Sequence, residues 1–121
     1  MEQPPADSLE QLRQRLADFA AVRDWDQFHS PKNLAMALAG EAGELLEHFQ
    51  WLSQEQSRQL EAEKLRDVGL ELADILIYLI RLGDKLGVDL IAAAHTKIHI
   101  NESRYPAHRV RGDARRAEEY D

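Results

Sequence analysis

Between residues 65 and 86 the apolar side chains Val68, Leu72, Ile75, Leu79, Leu82 and Leu86 recur every three or four positions, a spacing that an α-helix gathers onto one side. Gly87 follows directly as a C-terminal stop. Three further segments carry helix signals. Ser8 with Gln11 reads as a capping box, and Leu9, Leu12, Leu16, Phe19 and Ala20 then repeat at helical spacing up to Asp24 and Trp25. Ser30 before Pro31 opens a long helix reaching about Trp51, and Asp89 caps a fourth from Leu90 to about Arg104, which Pro106 ends. Residues 53–63 are polar and without period, and read as a connection. No segment alternates like a strand. The expected fold class is therefore all-α, four-helix-bundle-like, with a flexible stretch at 1–7, a domain at 8–106 and a flexible tail at 107–121. Gly40 and Gly43 inside the second helix cost about 1 kcal/mol each against Ala, so a close backbone neighbour or a bend is expected there.

Composition narrows the function classes. At 121 residues the chain suits a single core, and 44% hydrophobic with 31% charged residues is a globular balance. The net charge of −7 opposes a duplex nucleic acid or a membrane surface as partner, since both need a basic face. With no cysteine, disulfides, thiolate zinc sites and cysteine nucleophiles are excluded. Residues 1–6 are polar and Pro-rich, and no apolar run approaches the roughly 20 residues that span a bilayer, so a cytoplasmic protein is expected.

The chemistry lies in two acidic pairs. On a wheel of about 100° per residue, Leu34, Leu38, Leu45 and Phe49 form one stripe of the second helix. Glu41 falls within that stripe and Glu44 at its flank. On the next long helix Glu71 and Asp74 repeat the spacing, with Glu71 sharing the direction of Ile75, Tyr78 and Leu82. An isolated ionised carboxylate costs several kcal/mol to bury. Four of them converging need protons, basic partners or a cation. Arg66, Arg81 and Lys85 fall elsewhere on the wheel, whereas Mg²⁺ or Mn²⁺ accepts several carboxylate oxygens at once. The competing reading is that the pairs lie on solvated helix edges.

Beyond these pairs, the words Arg23-Asp24-Trp25-Asp26-Gln27-Phe28-His29, Pro31-Lys32-Asn33-Leu34, Gly40-Glu41-Ala42-Gly43-Glu44-Leu45, Phe49-Gln50-Trp51 and Leu72-Ala73-Asp74-Ile75-Leu76-Ile77-Tyr78-Leu79 stand together, with Lys97 and Asn101 before Arg104-Tyr105-Pro106. Over about residues 8–111 this pattern resembles the MazG-like all-α nucleoside triphosphate pyrophosphohydrolases, in their dCTP pyrophosphatase branch. The resemblance implies hydrolysis of a free nucleoside triphosphate, dCTP or a modified dCTP foremost, to the monophosphate and pyrophosphate. It implies Glu41, Glu44, Glu71 and Asp74 as magnesium ligands and catalytic residues; a carboxylate beside the metal, such as Glu44, could accept the proton of the attacking water, and the sequence does not assign the base. It also implies a base pocket from His29, Trp25 or Phe28, Trp51 and Tyr78, a phosphate contact from Lys97, a phosphate, sugar or metal-shell contact from Asn101, weaker polyphosphate candidates in Lys32 and Arg104, and a homo-oligomer, tetramer before dimer.

Other readings stay open on the sequence. A dimetal carboxylate bundle uses Glu-x-x-His, and the matching positions here hold Glu and Asp. His95 and His99 are four apart and suit a separate transition-metal site or a solvated face. A helical dimer without activity, and a phosphoribosyl-ATP pyrophosphatase of the same superfamily, complete the alternatives.

Overall fold

The computed structural model describes residues 8–119, and of Ala117 only the backbone. The stretch expected to be flexible at 1–7, and the last two residues of the tail, lie outside the described residues. Every regular element among the described residues is helical. These are α1 (Leu9–Val22), a 3₁₀ turn (Asp26–Phe28), α2 (Pro31–Glu47), α3 (Gln54–Ser57), α4 (Ala62–Leu86), α5 (Leu90–Arg104), α6 (Ala107–Val110) and a second 3₁₀ turn (Ala117–Glu119). No helix among them is long and apolar enough to cross a membrane.

The expected caps are present with local corrections. Ser8, Ser30 and Asp89 each accept a hydrogen bond from the backbone N–H three residues on, at 3.0, 3.1 and 3.0 Å. At Ser8 the reciprocal half of the box is missing, because Gln11 Oε1 receives no hydrogen bond. The complete capping box lies instead at Ser53 and Gln56, inside the expected connection, where it starts the one-turn α3. Helix α2 stops at Glu47 and not near Trp51; its last carbonyls are closed by bonds from His48, Phe49 and Gln50. Helix α1 ends in a Schellman turn. Trp25 N–H reaches the Ala20 carbonyl at 2.9 Å and Asp24 N–H that of Ala21 at 3.1 Å, with Asp24 at φ 56° where glycine is usual. Asp tolerates that region better than most residues, and the turn sends Trp25 away from the helix axis.

The chain divides between Gly87 and Val88 into two compact units. In the first, α4 packs chiefly against α2 and also against α1. Its fully buried positions are few: Ala20 of α1, Leu34 of α2, and Val68, Ile80, Arg81 and Gly83 of α4. The expected stripe of α4 is correspondingly split. Val68 is buried and Ile75 and Leu82 are half-buried, whereas Leu72, Leu79 and Leu86 are exposed beside Leu65 and Leu76. Apolar positions thus cover more of the helix circumference than α1 and α2 conceal. Around Gly40 and Gly43 no atom stands within 4 Å of an added Cβ, so packing among the described residues does not call for glycine there. In the second unit, α5 is followed after Pro106 by α6, and Arg104 Nη2 pairs with Glu118 Oε1 at 2.7 Å.

Candidate functional site

Helices α2 and α4 deliver the acidic residues to each other. Glu41, Glu44 and Glu71 each offer a carboxylate oxygen, and the three lie within 4.8 Å of one another. Glu41 and Glu71 are half-buried and Glu44 is exposed. The atoms Glu41 Oε2 and Glu71 Oε2 are buried without any hydrogen-bond partner. Among the described residues no ion pair reaches Glu41, Glu44, Glu71 or Asp74. Buried like charges with neither donor nor counter-ion are held at a cost that only a proton or a cation removes. An all-carboxylate donor set suits a hard divalent ion such as magnesium or manganese.

Asp74, one turn beyond Glu71, is half-buried but stands outside the group of three. Its charge still acts on Glu41. The Glu71 carboxyl beside it, then burial, then Glu44 and Asp74 push Glu41 up to about 7 from the usual 4.5. Between about pH 4.5 and 7 the folded chain keeps a proton that the unfolded chain has lost. Without metal, stability should therefore fall as pH rises through that window and level off above it. Urea midpoints in EDTA from pH 5 to 8 check this, and Glu41→Gln should flatten the slope.

A cavity of about 490 Å³, within the size range of small-ligand sites, has Asp74 in its lining. Its walls come from α1 (Leu12, Leu16, Phe19), from Trp25 and His29 around the 3₁₀ turn, and from α4, where Asp74, Tyr78 and Arg81 join apolar neighbours. Trp25 stands between two rings, edge-on to Phe19 at 5.7 Å and tilted to His29 at 6.3 Å. Of the residues expected to hold a base, Trp25, His29 and Tyr78 thus line one cavity with Asp74. Phe28 is exposed and no part of it. Trp51, 86% exposed on the turn after α2, is not a wall either. Lys97 and Asn101 lie one turn apart on α5 in the second unit, exposed and half-buried respectively. Lys32 is exposed at the start of α2, and Arg104 is engaged by Glu118. His95 and His99 belong to no cluster of three ligating side chains among the described residues.

Sequence reasoning passed over one group. Arg81 is only 4% exposed, and its Nη2 donates to Asp26 Oδ1 at 2.8 Å while Nε donates to His29 Nδ1 at 3.3 Å. Asp84 Oδ2 lies 3.6 Å from Nη1, and Lys85 Nζ joins Asp26 Oδ1 at 2.8 Å. Lys85 first, then Arg81, holds the Asp26 carboxyl below its usual range. Burial, and next the Arg81 charge, lower His29 from its ordinary range, which disfavours the cationic ring. The available sign was a lone arginine inside the apolar run Leu79-Ile80-Arg81-Leu82.

This geometry can be set beside known proteins. The model of the MazG-like family matches residues 37–119, and the chain belongs to that family. It is 46% identical over 112 residues to dCTP pyrophosphatase 1 of Rattus norvegicus, covering 91% of this chain and 66% of that protein. To dCTP pyrophosphatase 1 of Homo sapiens it is 45% identical over 114 residues, covering 93% and 67%. The chain therefore spans about two thirds of the length of these mammalian relatives. A crystal structure of a pyrophosphatase from Archaeoglobus fulgidus aligns at a TM-score of 0.78 and 36% identity, over 88% of this chain and 99% of that one.

Proposed function

We propose that this chain hydrolyses a free nucleoside triphosphate, dCTP or a modified dCTP foremost, to the monophosphate and pyrophosphate, with magnesium held by Glu41, Glu44, Glu71 and Asp74. The observation that carries the reading is the meeting of Glu41, Glu44 and Glu71 with two buried oxygens unpartnered, in a chain that also holds an aromatic-walled cavity lined by Asp74. Its relatives named dCTP pyrophosphatase support the substrate. Manganese suits the same oxygens.

When bound, the cation supplies neutralisation of the triphosphate charge and a more acidic water. The chain's own residues do the rest. Trp25 and Tyr78 stack on the base, and His29 offers it a polar edge. Asp74, one turn beyond Glu71 on α4, lines the base cavity. Glu44, the exposed member, is open to receive the proton of an attacking water. The family resemblance assigns Lys97 of α5 to a phosphate, and Asn101, one turn on, to a phosphate, sugar or metal-shell contact.

The exposed apolar line Leu65, Leu72, Leu76, Leu79 and Leu86 supports a homo-oligomer, a tetramer before a dimer, since monomers rarely leave such a run open to water. In it Trp51 would join a site completed by a second copy. A cytoplasmic location and the free nucleotide pool fit the acidic chain better than a nucleic-acid partner.

Pyrophosphate release across a panel of nucleotides, with magnesium and with EDTA, tests the proposal. Cytidine deoxynucleotides should lead, EDTA should stop turnover, and a single-stranded oligonucleotide should not compete. Trp25→Ala should weaken every nucleotide alike, by about 1 to 3 kcal/mol, because every base offers a face to stack on. A Trp25→Ala chain that lost only one base type would contradict the stacking role.

A further inference from the structure

We infer that Arg81 is a positioning residue for base choice: its guanidinium occupies His29 Nδ1 and so leaves Nε2–H as the edge His29 presents to a base. The inference rests on the nucleotide reading above.

A guanidinium has N–H donors and no acceptor, whereas a neutral imidazole has one donor nitrogen and one acceptor. Arg81 Nε and Nη2 lie 3.3 and 3.2 Å from His29 Nδ1, so that nitrogen must supply the lone pair. The ring proton then sits on Nε2. A cationic ring would turn Nδ1–H against the guanidinium, and the like charge of that buried guanidinium opposes it. The guanidinium is itself fixed, by Asp26 at 2.8 Å and by Asp84 at 3.6 Å. Both carboxylates have a second cation, Lys85 at 2.8 Å for Asp26 and Arg13 at 3.2 Å for Asp84. Removing Arg81 therefore strands neither.

His29 and Arg81 both line the cavity with Trp25 and Tyr78. Stacking on those rings tells bases apart poorly. A donor of fixed position does better. Cytosine carries an acceptor at N3, whereas uracil and thymine carry N–H there, so an Nε2–H facing that edge is satisfied by the first and opposed by the others. Discrimination of this kind is lost if the ring is free to exchange its proton between nitrogens.

The experiment uses the full chain labelled with ¹⁵N-histidine, the ring signals of His29 being identified by their loss in His29→Gln. At pH 7.5, about one unit above the ordinary histidine range, wild type should show a protonated Nε2 and a bare Nδ1. Arg81→Met should move these signals toward an average of the two tautomers. It should also reduce the kcat/KM ratio of dCTP over dUTP by about tenfold or more, through KM more than kcat. Arg81→Lys, which keeps the charge, should restore part of the ratio, and it supplies the same readings should Arg81→Met not fold. A wild-type ring protonated on Nδ1, or an Arg81 variant that slows both nucleotides equally, would overturn the inference and leave the pyrophosphohydrolase reading standing. A wild-type chain with no turnover of any nucleotide would overturn both.

Discussion

Glu71→Gln is expected to lower pyrophosphate release by roughly 100-fold to 1000-fold, the loss typical when one preorganised charge contact to the reacting phosphate assembly is removed. The substitution keeps the size of the side chain and takes away one of three carboxylates within 4.8 Å. Because Glu71 Oε2 is buried without a donor, the glutamine breaks no hydrogen bond at that atom. The same variant should therefore melt at a higher temperature than wild type in EDTA at pH 8, where like-charge repulsion is fully present. Activity and stability should move in opposite directions. A purely structural glutamate would move them together, and wild-type turnover in Glu71→Gln would remove this residue from the metal site.

The largest effect on stability is expected at Leu34. This side chain is 1% exposed and lies in the first turn of α2, whose backbone is anchored by Leu34 N–H on the Ser30 carbonyl at 2.9 Å. Few other side chains in the first unit are as deeply buried, so the space left by Leu34→Ala has little around it to fill it. The cost should be about 2 to 5 kcal/mol. For a unit of this size that is a fall in Tm of roughly 10 °C or more. Thermal unfolding followed by circular dichroism measures it, and a shift of only about 2 °C would mean that Leu34 is not a core residue. Loss of this contact should also loosen the register of α2 on α4, and with it the meeting of Glu41 and Glu71.

The helices were legible because local chemistry sets them. Ser30 with Pro31, Asp89, and Gly87 at φ 67° mark boundaries through hydrogen bonds and backbone freedom that lie within a few residues of each other. The acidic group was legible for a related reason: a carboxylate inside an apolar helical stripe signals its own burial cost. The split of the α4 stripe was not, since period alone does not say how many neighbours a helix has. Nor was the bond from Arg81 to His29, which joins residues 52 positions apart through a turn whose direction depends on Asp24 adopting a left-handed backbone. The cavity walls were half legible. Trp25, His29 and Tyr78 were expected there, but Trp51 was expected beside them and lies out in solvent.

The most direct measurement is the identity of the products formed from dCTP by the full chain, separated by anion exchange, with magnesium present and then chelated. A divalent cation on Glu41, Glu44, Glu71 and Asp74 serving a nucleoside triphosphate pyrophosphohydrolase requires one dCMP and one pyrophosphate per dCTP consumed, and nothing once the metal is removed. Release of dCDP with inorganic phosphate, or turnover that persists in chelator, would contradict it.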